Sequence, residues 1–140
     1  MSKIKYVSLS DMHLGADNSL LTNLEQASSK TDPLKPSPVL VKLVECLRKV
    51  IGDDKPTLIL NGDILELALS YTNEAAMAFE RFLEQIMPDG GELFSKIVFI
   101  PGNHDHHLWE VARETQYVNY IERQIETGTK LSKPWHITRM

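Results

Sequence analysis

The chain has 140 residues, 42% of them hydrophobic, and its 15 Lys and Arg against 19 Asp and Glu leave a formal charge of −4. That length suits one domain by the usual prior of roughly 150 residues, and the ordinary apolar fraction excludes a disordered chain. The mild acidity gives no support to nucleic-acid backbone as a partner, and a single cysteine, Cys46, excludes an intramolecular disulfide and a Cys-based zinc site.

Ile4–Leu9 (IKYVSL) is β-rich and closed by Ser10 and Asp11, which predicts a strand. Residues 16–36 are polar and turn-rich apart from Leu20, Leu21 and Leu24. A connection of that length is uncommon in a small domain and reads either as a functional loop or lid or as a plain insertion. Ser37-Pro38 has the chemistry of an N-cap followed by Pro at the first helical position. Leu40, Leu43, Val44, Leu47 and Ile51 then recur at helical spacing until Gly52. Thr57–Leu60 (TLIL) is short and apolar, as in a strand covered on both faces, and Asn61-Gly62-Asp63 closes it. A second helix is predicted from Glu74 to Met87, burying Ala75, Phe79, Phe82, Leu83 and Ile86. Lys96–Ile100 (KIVFI) is a third strand, closed by Pro101-Gly102. A third helix over residues 106–126 directs Leu108, Val111, Ala112, Val118, Ile121 and Ile125 inward. The order β-loop-α-β-α-β-α predicts an α/β fold on a parallel sheet. No signal peptide or membrane-spanning run is read, so the cytoplasm is the expected compartment.

The chemistry follows the strands. Asp11-Met12-His13 comes after the first, Asn61-Gly62-Asp63 after the second, and Gly102-Asn103-His104-Asp105 after the third. In a parallel sheet these three loops share the edge at which α/β proteins bind ligands. Carboxylate, imidazole and amide donors suit Mn, Fe or Zn. Each loop alone has a plainer reading. Asp11 can bond a turn amide, Asp63 and Glu66 can form a capping box, and Asn103 or Asp105 can cap the third helix. None of these explains why all three loops carry ligand-type residues together.

Ser10–Gly15 (SDMHLG), Asn61–Glu66 (NGDILE) and Pro101–Asp105 (PGNHD) match, in order, the first three blocks of the calcineurin-like metallophosphoesterases, and the chain resembles that family. The resemblance implies a phosphate-ester hydrolase with two divalent ions, Mn, Fe or Zn. Asp11 and His13 would bind the first ion, Asp63 would bridge both, and Asn103 would bind the second. His104 would approach the scissile phosphate, oriented by Asp105. Two dications about 3.5–4 Å apart activate water and neutralise phosphoryl oxygens.

The family's later histidine blocks have no counterpart in this sequence. His106 and His107 start the third helix and can face the substrate phosphate, although adjacent helical positions point in different directions. His136, in KPWHIT, reads as a surface residue. Four side chains for two ions fall short of about four per ion. Residues 1–140 therefore read as one metallophosphoesterase-like domain lacking its C-terminal half, the parallel part of a two-sheet sandwich. Its bare apolar sheet face would favour a homo-oligomer. A non-catalytic scaffold or protein-binding module of this fold is the alternative function. A receiver-like phosphoacceptor fits poorly, because it wants an acidic pair where Asp11-Met12-His13 stands.

Overall fold

Among the described residues three strands alternate with three helices: β1 (Tyr6–Leu9), α1 (Pro38–Ile51), β2 (Thr57–Asn61), α2 (Thr72–Ile86), β3 (Lys96–Ile100) and α3 (His107–Thr127). The structure is a computed structural model that describes residues 3–22, 32 and 34–127. The three strands form one parallel sheet in the order β1-β2-β3, which is the α/β alternation expected from the sequence. The chain divides into two units: residues 1–105, with everything from β1 to β3, and residues 106–140, with α3.

Register sorts the side chains of the first unit. Tyr6, Thr57 and Lys96 stand in one row and Val7, Leu58 and Ile97 in the next. Because strand side chains alternate between faces, Val7, Leu9, Leu58, Leu60, Ile97 and Phe99 share one face. That face takes the helices. Leu58 and Leu60 are fully buried, and Phe79 of α2 meets Phe99 edge-on at 6.0 Å between ring centroids. Helices α1 and α2 touch each other and bury Leu40, Val44 and Ile51 from α1 and Ala75, Ala78, Phe82 and Ile86 from α2. On the opposite face Tyr6 and Ile100 are exposed and Ile59 is half-buried. The expectation that β2 is covered on both faces is thus corrected among the described residues. An apolar run reports that a strand is central, which β2 is, but not how many layers cover it.

Helix α1 starts where Ser37-Pro38 placed it. The Ser37 hydroxyl accepts from Leu40 N at 3.0 Å and donates to the Leu20 carbonyl at 2.9 Å, so one buried serine caps the helix and ties the preceding loop to it. Residues 16–22 of the expected insertion fold back tightly. Ala16 and Thr22 are buried, Gly15 N donates to Thr22 Oγ1 at 3.0 Å, and Ser19 Oγ donates to the Met12 carbonyl at 2.8 Å. Of the rest of the expected lid, residues 23–31 and 33 lie outside the described residues.

Two helices differ from expectation. α2 begins earlier, at Thr72, and leaves Phe79 and Leu83 half-buried while Ala78 is buried. α3 does not bury the stripe assigned to it: Val111, Val118 and Ile125 are exposed. Apolar spacing identifies a helix, whereas burial needs a packing partner that spacing cannot supply. No helix among the described residues is long and apolar enough to cross a membrane.

Gly15 is where the loop after β1 meets α2. Its φ is +98°, and a Cβ there would lie 2.5 Å from Ala75 Cα. Gly15→Ala is expected to lower unfolding stability by about 3 kcal/mol, through overpacking against a backbone atom plus left-handed strain. Gly90→Ala, at φ +70° with open space around it, should cost only about 1 kcal/mol. Urea midpoints of the two variants check the contrast.

Candidate metal centre

Beyond the ends of β1 and β2 the backbone pairing continues into the loops. Asp11 N donates to Gly62 O at 3.1 Å, His13 N to Asp63 O at 3.0 Å, Leu14 N to Ile64 O at 2.8 Å, and Glu66 N to Leu14 O at 2.9 Å. The third loop joins through Gly62 N to Ile100 O at 2.8 Å, Leu67 N to His104 O at 3.1 Å, and His104 N to Asp63 Oδ1 at 2.9 Å. Three residues in these loops carry a left-handed backbone without being glycine: Asp11 (φ +53°), His13 (φ +46°) and Asp63 (φ +52°). Such conformations cost on the order of 1–3 kcal/mol each and gather at functional sites. They fall on three of the residues that the sequence puts forward as ligands. Gly102 lets Asp63 sit there, because a Cβ at position 102 would lie 2.5 Å from Asp63 N and overlap its Oδ1.

The donors converge. Asp11, His13 and Asp63 each offer one ligand atom, and all three atoms lie within 4.8 Å of one another. Two carboxylates and an imidazole fit a divalent cation of the Mn, Fe or Zn type, whose bonds to such atoms are about 2.0–2.2 Å. Asp11 is exposed, while His13 and Asp63 are half-buried. A cavity of about 640 Å³ opens beside them, and Asp11, His13, Glu66 and His104 all line it.

A second convergent group, His13, Glu66 and His104, has Glu66 at its centre. Its carboxylate is almost wholly buried. It accepts from His13 Nδ1 at 2.8 Å on one oxygen and from His104 Nδ1 at 2.7 Å on the other. Ala68 N and Leu69 N add 3.2 Å and 3.0 Å bonds to Oε1. Four donors occupy this carboxylate, which makes it an anchor for the histidines. An ionised carboxylate only accepts, so both Nδ1 atoms carry hydrogen and both Nε2 atoms are left for other partners. This is the carboxylate–histidine arrangement that orients metal ligands. The two rings stand at 86° with centroids 4.8 Å apart. Burial pushes the Glu66 carboxyl up, but the hydrogen bonds from His104 and His13 outweigh it and hold the group below the usual carboxylate range. The hydrogen bond to Glu66, opposed by slight desolvation and helped by the charges of Glu66, Asp63 and Asp105, raises the His104 imidazole.

The expected partner of His104 is corrected in this respect. Asp105 is fully buried, and its carboxylate accepts from Ile64 N at 2.8 Å, Leu65 N at 3.3 Å and Gly102 N at 2.5 Å. It fastens the third loop to the second, while Glu66 holds the His104 ring. Asn103 is exposed in the same loop. His106 and His107 belong to the second unit, where their rings lie 4.1 Å apart and His107 Nδ1 is 3.6 Å from Glu110 Oε2. His136 lies outside the described residues. Glu66 was legible only as a capping-box partner. It caps no helix, since α2 begins six residues later at Thr72. The signal that marks it is an acid set in the apolar run Ile64–Leu67.

A family model described as calcineurin-like phosphoesterase matches residues 4–138. Comparisons with curated proteins and with solved structures found no match.

Glu66→Gln would offer one oxygen and one NH₂ group to two Nδ1–H donors. A 10–100-fold loss of Mn affinity is expected by calorimetry, the usual scale for losing a ligand's outer partner. Asp105→Ala leaves three amides without their acceptor. It should lower stability to urea by about 3 kcal/mol, the scale for lost hydrogen bonds to a buried charge.

Proposed function

The chain belongs to the calcineurin-like phosphoesterase family, and on that premise we propose that it hydrolyses phosphate esters with two divalent cations. Asp11 and His13 would hold the first ion, Asp63 would bridge to the second, and Asn103 would reach the second. The observation that carries this reading is the convergence of Asp11, His13 and Asp63 within 4.8 Å on three strained backbones. When bound, the ions supply an acidified water and charge neutralisation at the phosphoryl oxygens. Four side chains for two ions leave the remaining coordination positions to water, substrate oxygens or further groups.

The chain's own residues do the rest. Glu66 keeps His104 aimed through Nδ1 and raises its basicity, which favours the imidazolium form that carries a proton at Nε2. As water adds to phosphorus and the bond to the leaving oxygen breaks, that proton passes to the leaving oxygen, which departs as an alcohol. General acid catalysis of this kind contributes typically 10²–10⁴-fold. His13, fixed by the other Glu66 oxygen, presents Nε2 as a neutral ligand. Asp63 acts twice, since Oδ1 also accepts from His104 N at 2.9 Å and so sets the distance between ligand loop and acid.

Asp63→Asn is expected to abolish Mn binding in equilibrium dialysis, and undiminished binding would contradict the bridging role. His104→Ala should retain Mn while losing at least about 100-fold in hydrolysis of phenyl phosphate. Its loss on 4-nitrophenyl phosphate, whose leaving oxygen is far less basic, should be much smaller. Equal losses on the two esters would contradict proton donation by His104.

A further inference from the structure

The 640 Å³ cavity beside the candidate ligands is larger than a phosphoryl group requires and falls in the 300–1,000 Å³ range of small-molecule sites. Its lining brings Leu20, Leu21 and Leu69 together with the catalytic edge. Leu20 is 66% and Leu69 84% exposed. Single exposed leucines need no explanation, but here two of them gather with the half-buried Leu21 on one concavity beside His104. Their backbones are pinned as well. The Leu20 carbonyl accepts from Ser37 Oγ at 2.9 Å, and Leu69 N donates to Glu66 Oε1 at 3.0 Å. Leu69 is therefore held in register with the same glutamate that aims the histidines, and Leu20 with the cap of α1.

Charge narrows what the cavity accepts. None of the described residues lining it is Lys or Arg, and the acids among them are Asp11, Asp17 and Glu66. One phosphoryl group can be neutralised by cations on Asp11, His13 and Asp63. A second phosphate against this wall would meet carboxylate and leucine, with no cation among the described lining residues. We propose that the cavity receives the uncharged aryl or alkyl part of an ester bearing a single phosphate, with Leu20, Leu21 and Leu69 as its specificity residues. This rests on the phosphoesterase reading above. The reaction is hydrolysis of the P–O bond to that group: water supplies oxygen to phosphorus, and the leaving oxygen takes a proton and departs as the apolar alcohol.

The test uses the product and the ester separately. In the metal-free chain, 1-naphthol binding is followed by its own fluorescence. Leu20→Ser and Leu69→Ser together should weaken that binding roughly tenfold, the scale of the apolar contact removed. Both side chains are exposed, so the fold should survive the changes, and a urea midpoint checks this. In the Mn-loaded chain, the ratio of kcat/KM for 1-naphthyl phosphate over glycerol 2-phosphate should fall roughly tenfold in the same variant. Unchanged naphthol affinity together with an unchanged ratio overturns the proposal, as does faster hydrolysis of inorganic pyrophosphate than of 1-naphthyl phosphate by the wild-type chain. If the Mn-loaded chain cleaves neither ester, the phosphoesterase reading fails, and the naphthol titration still decides the cavity.

Discussion

A buried carboxylate is costly unless its oxygens are bonded, and the arrangement of this site follows from how Glu66 meets that demand. Two imidazoles and two backbone amides supply its donors. The histidines come from different loops, one after β1 and one after β3, while Glu66 itself follows β2. A single side chain thus joins all three strand ends. Because the bonds run through Nδ1 on both rings, one glutamate also fixes the direction of the proposed metal ligand and of the proposed proton donor. Removing either histidine would leave an oxygen short of its charge-assisted partner, so the three residues form one unit whose parts do not substitute independently.

The parallel sheet makes such a junction possible, since all three strands release their loops at the same edge. The backbone ladder continues past the strand ends, as far as the bridge between Leu14 and Leu65, and this holds Asp11, His13 and Asp63 in conformations an isolated loop would relax. Strain of that kind persists only where surrounding bonds over-determine it. Asp105, buried against three amides, and Gly102, the one residue type with room beside Asp63, complete the restraint. The leucine wall of the cavity hangs from the same framework through Leu69 N.

Much of this was legible in the sequence because it rests on local chemistry. KIVFI forms β3 with its expected ends, Ser37-Pro38 starts α1, and the three ligand loops follow three strands whose order implies a shared edge. What was not legible depends on distant partners. Spacing made Glu66 a capping-box residue, but α2 starts six residues further on, at Thr72, which leaves Glu66 to face the histidines. The family resemblance made Asp105 the expected partner of His104, but consecutive residues diverge, and the carboxylate turned to amides some forty residues earlier in the chain. The helical stripe of α3 and the apolar run of β2 gave element type correctly, yet their exposure depends on which layers meet them.

The most direct measurement is imidazole ¹⁵N NMR of the ¹⁵N-histidine-labelled chain, titrated with Zn, which is diamagnetic. The account predicts that His13 and His104 both show protonated Nδ1 throughout. Zn should shift His13 Nε2 to the position of a metal-bound nitrogen and leave His104 Nε2 uncoordinated. Coordination of His104 together with His13, or protons on Nε2 in place of Nδ1 in the neutral rings, would contradict the assignment of Glu66 as the anchor that divides ligand from acid.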